Sequence, residues 1–137
     1  MASILILEDD DMFRGFLADA LKSAGHEVRE AADGEKGLRM FNAQPADLVL
    51  TDIIMPGKEG IATVRELRKA HPGLGIIAMS GGVAINSPLY LDIAQGLGAD
   101  RKLQKPFRLE TLLQTVDEVL AMGNTPRVRT RPKPKEG

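Results

Sequence analysis

Acidic, hydroxyl and amine side chains stand at the ends of four short apolar segments of this 137-residue chain. The stretch "ILILEDDD" runs from four aliphatic residues into Glu8 and Asp9, and "DLVLTD" ends at Asp52. The stretch "IIAMS" ends at Ser80, and "LQK" ends at Lys105. Crowded carboxylates repel one another, and a divalent cation relieves that repulsion. A carboxylate beside such a cation can attack a phosphoryl group and form an acyl phosphate.

Five pairs of strand and helix patterns follow one another along the chain. The first helix has an apolar face made of Phe13, Phe16, Leu17, Ala20, Leu21 and Ala24. The clearest helix has an apolar face made of Leu109, Leu112, Leu113, Val116, Val119 and Leu120. This alternation predicts an α/β protein whose parallel sheet is covered by helices on both faces. Right-handed crossovers in one domain favour a doubly wound, flavodoxin-like, five-stranded parallel sheet in the order 2-1-3-4-5.

The predicted topology brings the chemistry-bearing residues to one edge of the sheet. Ligands of such sheets bind at the carboxyl ends of the strands, where the winding direction reverses. Glu8 and Asp9 end the first strand, and Asp52 ends the third strand beside it. Ser80 and Lys105 end the fourth and fifth strands. We therefore expect three acids, one hydroxyl and one amine from distant parts of the sequence to share one site.

The three acids Glu8, Asp9 and Asp52 are predicted to hold a divalent cation, Mg²⁺ or Mn²⁺. Hard oxygen ligands with room for water suit Mg²⁺, which keeps several waters when it binds to proteins. Ile54 can offer this cation only its main-chain carbonyl oxygen. The neighbouring acids Asp10 and Asp11 lie where carboxylates cap a following helix, and we assign them that structural role.

Lys105 and Ser80 are predicted to contact a phosphoryl group on Asp52. The Lys105 ammonium acts as a point charge, and the Ser80 hydroxyl, with nearby backbone N–H groups, can cover another phosphoryl oxygen. A lone lysine after a strand is more often a surface residue, and a lone serine is more often a turn residue. The placement of both at predicted strand ends favours the functional interpretation.

Composition limits the class of protein. The chain is 43% hydrophobic and has no cysteine, so no disulfide framework or thiolate chemistry is available to it. Its apolar runs are far shorter than the ~20 residues that span a bilayer, and no secretory signal is visible. We expect a cytoplasmic protein with no membrane partner. Residues 1–122 are predicted to form one domain, and residues 123–137 a basic, proline-containing, disordered tail or linker stub.

Four motifs together resemble the response-regulator receiver domain of two-component signal transduction, of the chemotaxis-regulator type. They are "ILILEDDD", "DLVLTDIIMPG", "IIAMSG" and "LQKPF", in the family's order and close to its spacing, and the resemblance covers residues 3 to 122. It implies a signalling phosphoacceptor rather than an enzyme with a substrate, chemically active only in its own phosphorylation and dephosphorylation. The phosphoryl donor would be a sensor histidine kinase or a histidine phosphotransfer protein. The domain would switch a surface for an output partner that the sequence does not identify, without itself binding DNA.

The resemblance also assigns a role to each candidate residue. Asp52 would be the phosphoacceptor, Ser80 the switch hydroxyl, and Lys105 the phosphate-contacting lysine before a cis Pro106. The implied ligands of Mg²⁺ are Glu8, Asp9, Asp52 and the main-chain carbonyl of Ile54.

The chain departs from the family pattern at three points. Lys102 stands where the family usually has an aromatic residue or histidine, and we expect its side chain to face solvent. The segment after Ser80 is longer than usual, which makes Gly81–Asn86 our candidate for the switching element. No output domain follows in this sequence.

Three other functions remain open on sequence grounds. A haloacid-dehalogenase-type aspartyl-phosphate hydrolase would use Asp9 and Asp11, but no late acidic pair ends a fourth strand. A flavodoxin-like FMN-binding module would need a phosphate-cradling first loop, and "EDDDMF" would repel a phosphate. A pseudo-receiver would bind partners without phosphorylation, although the acid, hydroxyl and lysine set is complete.

Overall fold

The computed structural model of the protein describes residues 2–53, 60–81 and 87–127, without the side chains of residues 87, 88 and 90. Ile54 and residues 82–86 lie outside this part of the chain, and so do the predictions made for them. Within the described ranges, five strands alternate with five helices. They are β1 (Ser3–Leu7), α1 (Asp11–Ser23), β2 (Glu27–Ala31), α2 (Gly34–Ala43), β3 (Leu48–Asp52), α3 (Gly60–Ala70), β4 (Gly75–Gly81), α4 (Ser87–Gly96), β5 (Arg101–Lys105) and α5 (Leu109–Ala121).

The strands form one parallel sheet in the order β2-β1-β3-β4-β5, which confirms the predicted fold class. β1 lies between β2 and β3, so the winding direction reverses beside it. Asp52 is paired with Met79, and Gly81 is paired with Lys105. This register brings the carboxyl ends of β3, β4 and β5 level with one another beside the end of β1.

The sheet is buried between two layers of helices. Ile4 and Ile6 of β1 belong to a core that includes residues of α1 and α5, while Leu5 and Leu7 belong to a core that includes residues of α2, α3 and α4. Burial of both faces explains why the central strands read as continuous aliphatic runs. Among the described residues, no helix combines the length and the apolar character needed to cross a lipid bilayer.

Asp10 and Asp11 stabilise the start of α1, as predicted. The Asp10 carboxylate accepts hydrogen bonds from the backbone N–H groups of Met12 and Phe13, at 3.0 and 3.1 Å. Asp11 lies in the first turn and forms an ion pair with Arg14 at 2.7 Å. An N-cap of this kind satisfies helix N–H groups that have no partner within the helix. The N-cap residue Asp10 lies three positions after the last residue of β1, so α1 begins close to the end of that strand.

The chain after α5 returns to the domain at the amino ends of the strands. Arg127 donates its backbone N–H to the Pro72 carbonyl at 2.8 Å and its Nε–H to Asp100 Oδ1 at 3.0 Å. Asp100 Oδ2 also accepts a hydrogen bond from Arg68 at 3.0 Å. Residues 123–127 therefore lie against the domain, whereas residues 128–137 lie outside the described part of the chain. The boundary after residue 122 stays a prediction.

Candidate functional site

Residues from three strand ends meet at the carboxyl edge of the sheet. Glu8 directly follows β1, Asp52 ends β3 and Lys105 ends β5. The Lys105 ammonium donates to Asp52 Oδ2 at 2.8 Å and to Glu8 Oε1 at 2.5 Å. The side chains of Glu8 and Asp52 are only 1% and 8% exposed, and that of Lys105 is 21% exposed. The predicted convergence therefore produces a buried acid–amine–acid contact.

Glu8 is held in place by hydrogen bonds with β2, with α1 and with the N-cap residue Asp10. Its backbone N–H donates to the Ala31 carbonyl of β2 at 3.1 Å, and its own carbonyl accepts from Arg14 of α1 at 2.8 Å. Its carboxylate Oε2 accepts from the Asp10 backbone N–H at 3.2 Å. These contacts fix the orientation of the carboxylate toward Asp52 and Lys105.

Glu8, Asp9 and Asp52 form a cluster in which one carboxylate oxygen from each residue lies within 4.8 Å of the others. Glu8 and Asp52 are buried, whereas Asp9 is exposed, so the cluster opens to solvent on the Asp9 side. Three hard oxygen donors with access to water are the donor set that Mg²⁺ prefers in proteins. The residues present therefore fit a divalent cation.

The charges in this cluster are in conflict when no cation is bound. Burial raises the pKa of Glu8 to about 7 from an ordinary value of 4.5, and the negative charge of Asp52 adds to the rise. The hydrogen bond from Lys105 acts in the opposite direction. Burial also works against the charge of Lys105, but its contacts with Asp52 and Glu8 outweigh that effect and raise its pKa above the usual range. Near neutral pH the site thus holds a charged Lys105 ammonium beside a Glu8 carboxyl that resists losing its proton.

Ser80 brings a hydroxyl to the same edge of the sheet. It lies in β4, one residue after Met79, the partner of Asp52 in the register. Its side chain is buried, and its Oγ has no hydrogen-bond partner in the described part of the chain. Buried hydroxyls normally have a partner, and one without any is a candidate for binding a ligand.

A glycine allows Lys105 to approach the end of β4. A Cβ atom added at Gly81 would lie 2.5 Å from Lys105 Cβ and 2.6 Å from the Lys105 carbonyl oxygen, so any larger residue would displace β5 here. The Lys105–Pro106 peptide bond is cis, the isomer that the resemblance implies.

Phe13 also belongs to the site, although the sequence analysis placed it only on the apolar face of α1. Its ring centroid lies 4.6 Å from Lys105 Nζ. The available signal was its position in the first turn of the helix that follows Glu8. Helical periodicity identified the buried face of α1. It did not show which residues on that face pack against the sheet and which one contacts Lys105.

Lys102 faces solvent, as expected from its charge. Its side chain is 44% exposed and forms an ion pair with Asp92 of α4. The position where the family usually carries an aromatic residue is therefore occupied by a surface cation that connects β5 to α4.

Comparison with known families agrees with this geometry. The model of the response regulator receiver domain matches residues 4–117 of the chain. This chain is a response regulator receiver domain. The match covers all five strands, apart from Ser3 at the start of β1, and most of α5.

Similar domains occur both within much longer proteins and in proteins of about this size. The receiver domain is 38% identical over 126 residues to the sensor kinase CckA of Brucella abortus, covering 87% of this chain but 12% of that protein. It is 34% identical over 121 residues to the response regulator receiver protein CpdR of Brucella abortus, covering 88% of this chain and 98% of CpdR. The crystal structure of the receiver domain of NtrX from Brucella abortus matches with a TM-score of 0.81 at 30% identity, over 86% of this chain and 98% of that one.

These comparisons bear on two of the three alternative functions left open by the sequence. They support neither a haloacid-dehalogenase-type hydrolase nor an FMN-binding module. Receiver domains are signalling phosphoacceptors rather than classical enzymes, and the acid cluster with its lysine fits that role.

Proposed function

We propose that this receiver domain accepts a phosphoryl group on Asp52 from a phosphohistidine of a sensor histidine kinase or a histidine phosphotransfer protein. The observation that carries the proposal is the contact of the Lys105 ammonium with Asp52 Oδ2, beside the buried carboxylate of Glu8. A carboxylate in this position has a cation next to it that can balance the charge of an incoming phosphoryl group.

In the proposed reaction, a carboxylate oxygen of Asp52 attacks the phosphorus atom of the donor. The P–N bond of the phosphohistidine breaks, its electron pair returns to the imidazole nitrogen, and Asp52 becomes an acyl phosphate. Lys105 pairs with one phosphoryl oxygen, and the Ser80 hydroxyl, which has no partner among the described residues, donates to another. Hydrolysis of the acyl phosphate by water ends the signal, so the domain contributes chemistry only to its own modification.

Glu8, Asp9 and Asp52, together with the main-chain carbonyl of Ile54, are the residues we propose to hold Mg²⁺ or Mn²⁺. The three carboxylates are supported by their mutual distances, whereas Ile54 is assigned from the family pattern alone. A divalent cation bound there neutralises the carboxylates and screens a phosphoryl oxygen. Lys105 already performs part of this neutralisation through its contacts with Glu8 and Asp52.

The signalling context follows from the same assignment. We propose a cytoplasmic protein whose phosphorylated state changes a surface recognised by an output partner, without direct DNA contact by the domain itself. CckA, a similar protein in this region, is named a sensor kinase, and CpdR is named a response regulator receiver protein. The basic residues beyond Arg127 offer an acidic partner a further contact.

The test is phosphorylation by acetyl phosphate, followed by intact mass. One phosphoryl group is expected in the presence of Mg²⁺, and none after chelation with EDTA. Asp52→Asn should abolish the label, while Asp10→Asn should keep it, because asparagine also caps helices and Asp10 lies outside the acid cluster. Full labelling of Asp52→Asn would overturn the assignment of the phosphoacceptor.

A further inference from the structure

The ring of Phe13 completes the surroundings of the Lys105 ammonium. Two sides of the ammonium are occupied by the carboxylates of Glu8 and Asp52, and the Phe13 ring lies beneath it at 4.6 Å. An ammonium within about 6 Å of an aromatic centroid is attracted by the negative face of the ring. Because Lys105 is largely buried, water weakens this attraction less than at an exposed site.

The Phe13 ring is held in place by contacts with the start of α1 and with the segment that follows β5. Phe107, two residues after Lys105, meets it edge to face, with 5.8 Å between the centroids and an angle of 73°. The ring of Phe16, one turn further along α1, lies 6.3 Å away at 22°, but Phe16 is 51% exposed, so the contacts that hold Phe13 are those of Phe107 and Asp10. At the backbone, the Phe13 N–H donates to the capping carboxylate of Asp10. Phe13 is therefore fixed in position relative to the ends of both β1 and β5.

A ring constrains a lysine differently from a carboxylate. The lysine side chain has four rotatable bonds, and holding its ammonium at one point costs conformational entropy. A carboxylate holds the ammonium by a directed hydrogen bond, which must be exchanged when a phosphoryl oxygen arrives. The face of a ring attracts the ammonium without accepting a conventional hydrogen bond, so it can support Lys105 before and after that exchange.

We propose that Phe13 is a positioning residue for Lys105 in phosphoryl transfer, keeping the ammonium beside Asp52. This inference rests on the proposed function, because it concerns the same reaction. It extends that function to a residue that carries no chemistry of its own. It also requires an aromatic side chain at this position, since an aliphatic one of similar size would fill the space without attracting the charge.

Three variants test the proposal. Phe13→Leu keeps an apolar side chain but removes the ring, and Phe13→Tyr keeps the ring. Phe16→Leu is the matched control, because it makes the same substitution in the same helix at a 51% exposed residue that is not among the contacts holding the Phe13 ring. Thermal unfolding establishes that each variant is folded.

The first readout is the NMR chemical shift of the Lys105 side-chain methylene next to the ammonium, without any phosphodonor. Its resonance is assigned by its loss in Lys105→Arg. A ring face beneath the ammonium shifts this resonance upfield. We expect the upfield shift in the parent protein, Phe13→Tyr and Phe16→Leu, and its loss in Phe13→Leu. The second readout is the rate of labelling by acetyl phosphate across a range of donor concentrations, which separates KM from the maximal rate.

The expected result is a maximal rate about two- to fivefold lower in Phe13→Leu, the range that an attraction of this kind provides. Phe13→Tyr should restore the rate, and Phe16→Leu should match the parent. An unchanged maximal rate in Phe13→Leu, or an equal loss in Phe16→Leu, would overturn the positioning role. A parent protein that takes no label on Asp52 would overturn the proposed function instead, so the two failures are distinguishable.

Discussion

Lys105 Nζ lies 2.5 Å from Glu8 Oε1, although 97 positions separate the two residues in the chain. The same ammonium contacts Asp52, so one amine holds together two buried acids that would otherwise repel each other. This contact explains how the fold accommodates the carboxylates that follow its first strand. The Lys105 ammonium thus offsets part of the charge of the acids that we propose bind a divalent cation and a phosphoryl group.

The first prediction concerns pH and the response to Mg²⁺. Folding raises the pKa of Glu8 from 4.5 to about 7. A carboxyl with a raised pKa stabilises the fold fully below its unfolded pKa and loses that contribution as the pH rises to its folded pKa. The metal-free protein should therefore lose stability between pH 4.5 and 7. The stabilisation from the raised pKa of Lys105 is fully present below its ordinary value of 10.5 and is lost only above it, so it does not change this window.

Mg²⁺ must displace the Glu8 proton, so the increase in Tm on adding Mg²⁺ should be larger at pH 8 than at pH 6. Thermal unfolding with and without EDTA measures the difference. In Glu8→Gln both the loss of stability and the pH dependence of the Mg²⁺ effect should be smaller. Equal Mg²⁺ effects at the two pH values in the parent protein would contradict the assignment of Glu8 as a ligand.

The second prediction concerns the close approach at Gly81. Gly81→Ala would place a Cβ 2.5 Å from Lys105 Cβ, so Lys105 must move away from Asp52. We expect labelling by acetyl phosphate to slow by about tenfold or more, because small displacements of catalytic groups are costly, and stability to fall by roughly 1–3 kcal/mol. Labelling kinetics and urea unfolding measure both effects.

Gly15→Ala provides the control for this prediction. A Cβ added at Gly15 meets no atom within 4 Å, and Gly15 lies inside α1. The substitution should stabilise the protein by about 0.5–1 kcal/mol and leave labelling unchanged. A Gly81→Ala variant that labels at the parental rate would show that Lys105 does not depend on the close packing of β4 and β5.

The sheet and the strand-end residues were predictable from the sequence because aliphatic runs mark the strands and helical periodicity marks the helices between them. Aliphatic runs indicated buried parallel strands, and the strand order then located Glu8, Asp52 and Lys105 at one edge. The mutual distances of their side chains agree with that placement. The roles of these residues in binding the metal and the phosphoryl group stay predictions.

Contacts between single side chains were not predictable, because no period marks them. Phe13 was correctly placed on the buried face of α1, but its position beneath Lys105 depends on where the Asp10 cap starts the helix. Arg127 was assigned to a basic tail, since no apolar repeat surrounds it. Its position against the domain depends on the buried carboxylate of Asp100, which lies 27 residues earlier.

The third prediction tests that contact. Arg127→Ala removes the ion pair to Asp100 and the side-chain hydrogen bonds to the carbonyls of Gly73, Gly123 and Thr125, but it keeps the backbone hydrogen bond to Pro72. The Arg127 side chain is only 14% exposed. Since Asp100 keeps Arg68 as a partner, we expect a loss of roughly 1–3 kcal/mol in the free energy of unfolding rather than complete unfolding. Urea unfolding measures the loss.

Arg101→Ala is the matched control, because Arg101 forms an ion pair with Glu118 at 3.6 Å and both side chains are nearly half exposed. Surface pairs of this kind contribute about 0–1 kcal/mol. Similar small losses for Arg101→Ala and Arg127→Ala would mean that residues 123–127 contribute little to the stability of the domain.

The central claim is that Asp52 carries the phosphoryl group, and chemical trapping tests it most directly. Borohydride reduces an aspartyl phosphate to homoserine, which leaves a permanent mark at the modified residue. After labelling with acetyl phosphate and Mg²⁺, followed by borohydride and peptide mass mapping, we predict homoserine at position 52 and aspartate at positions 9, 10 and 11. Homoserine at another acidic position, or at none in a protein shown to be labelled, would contradict the account.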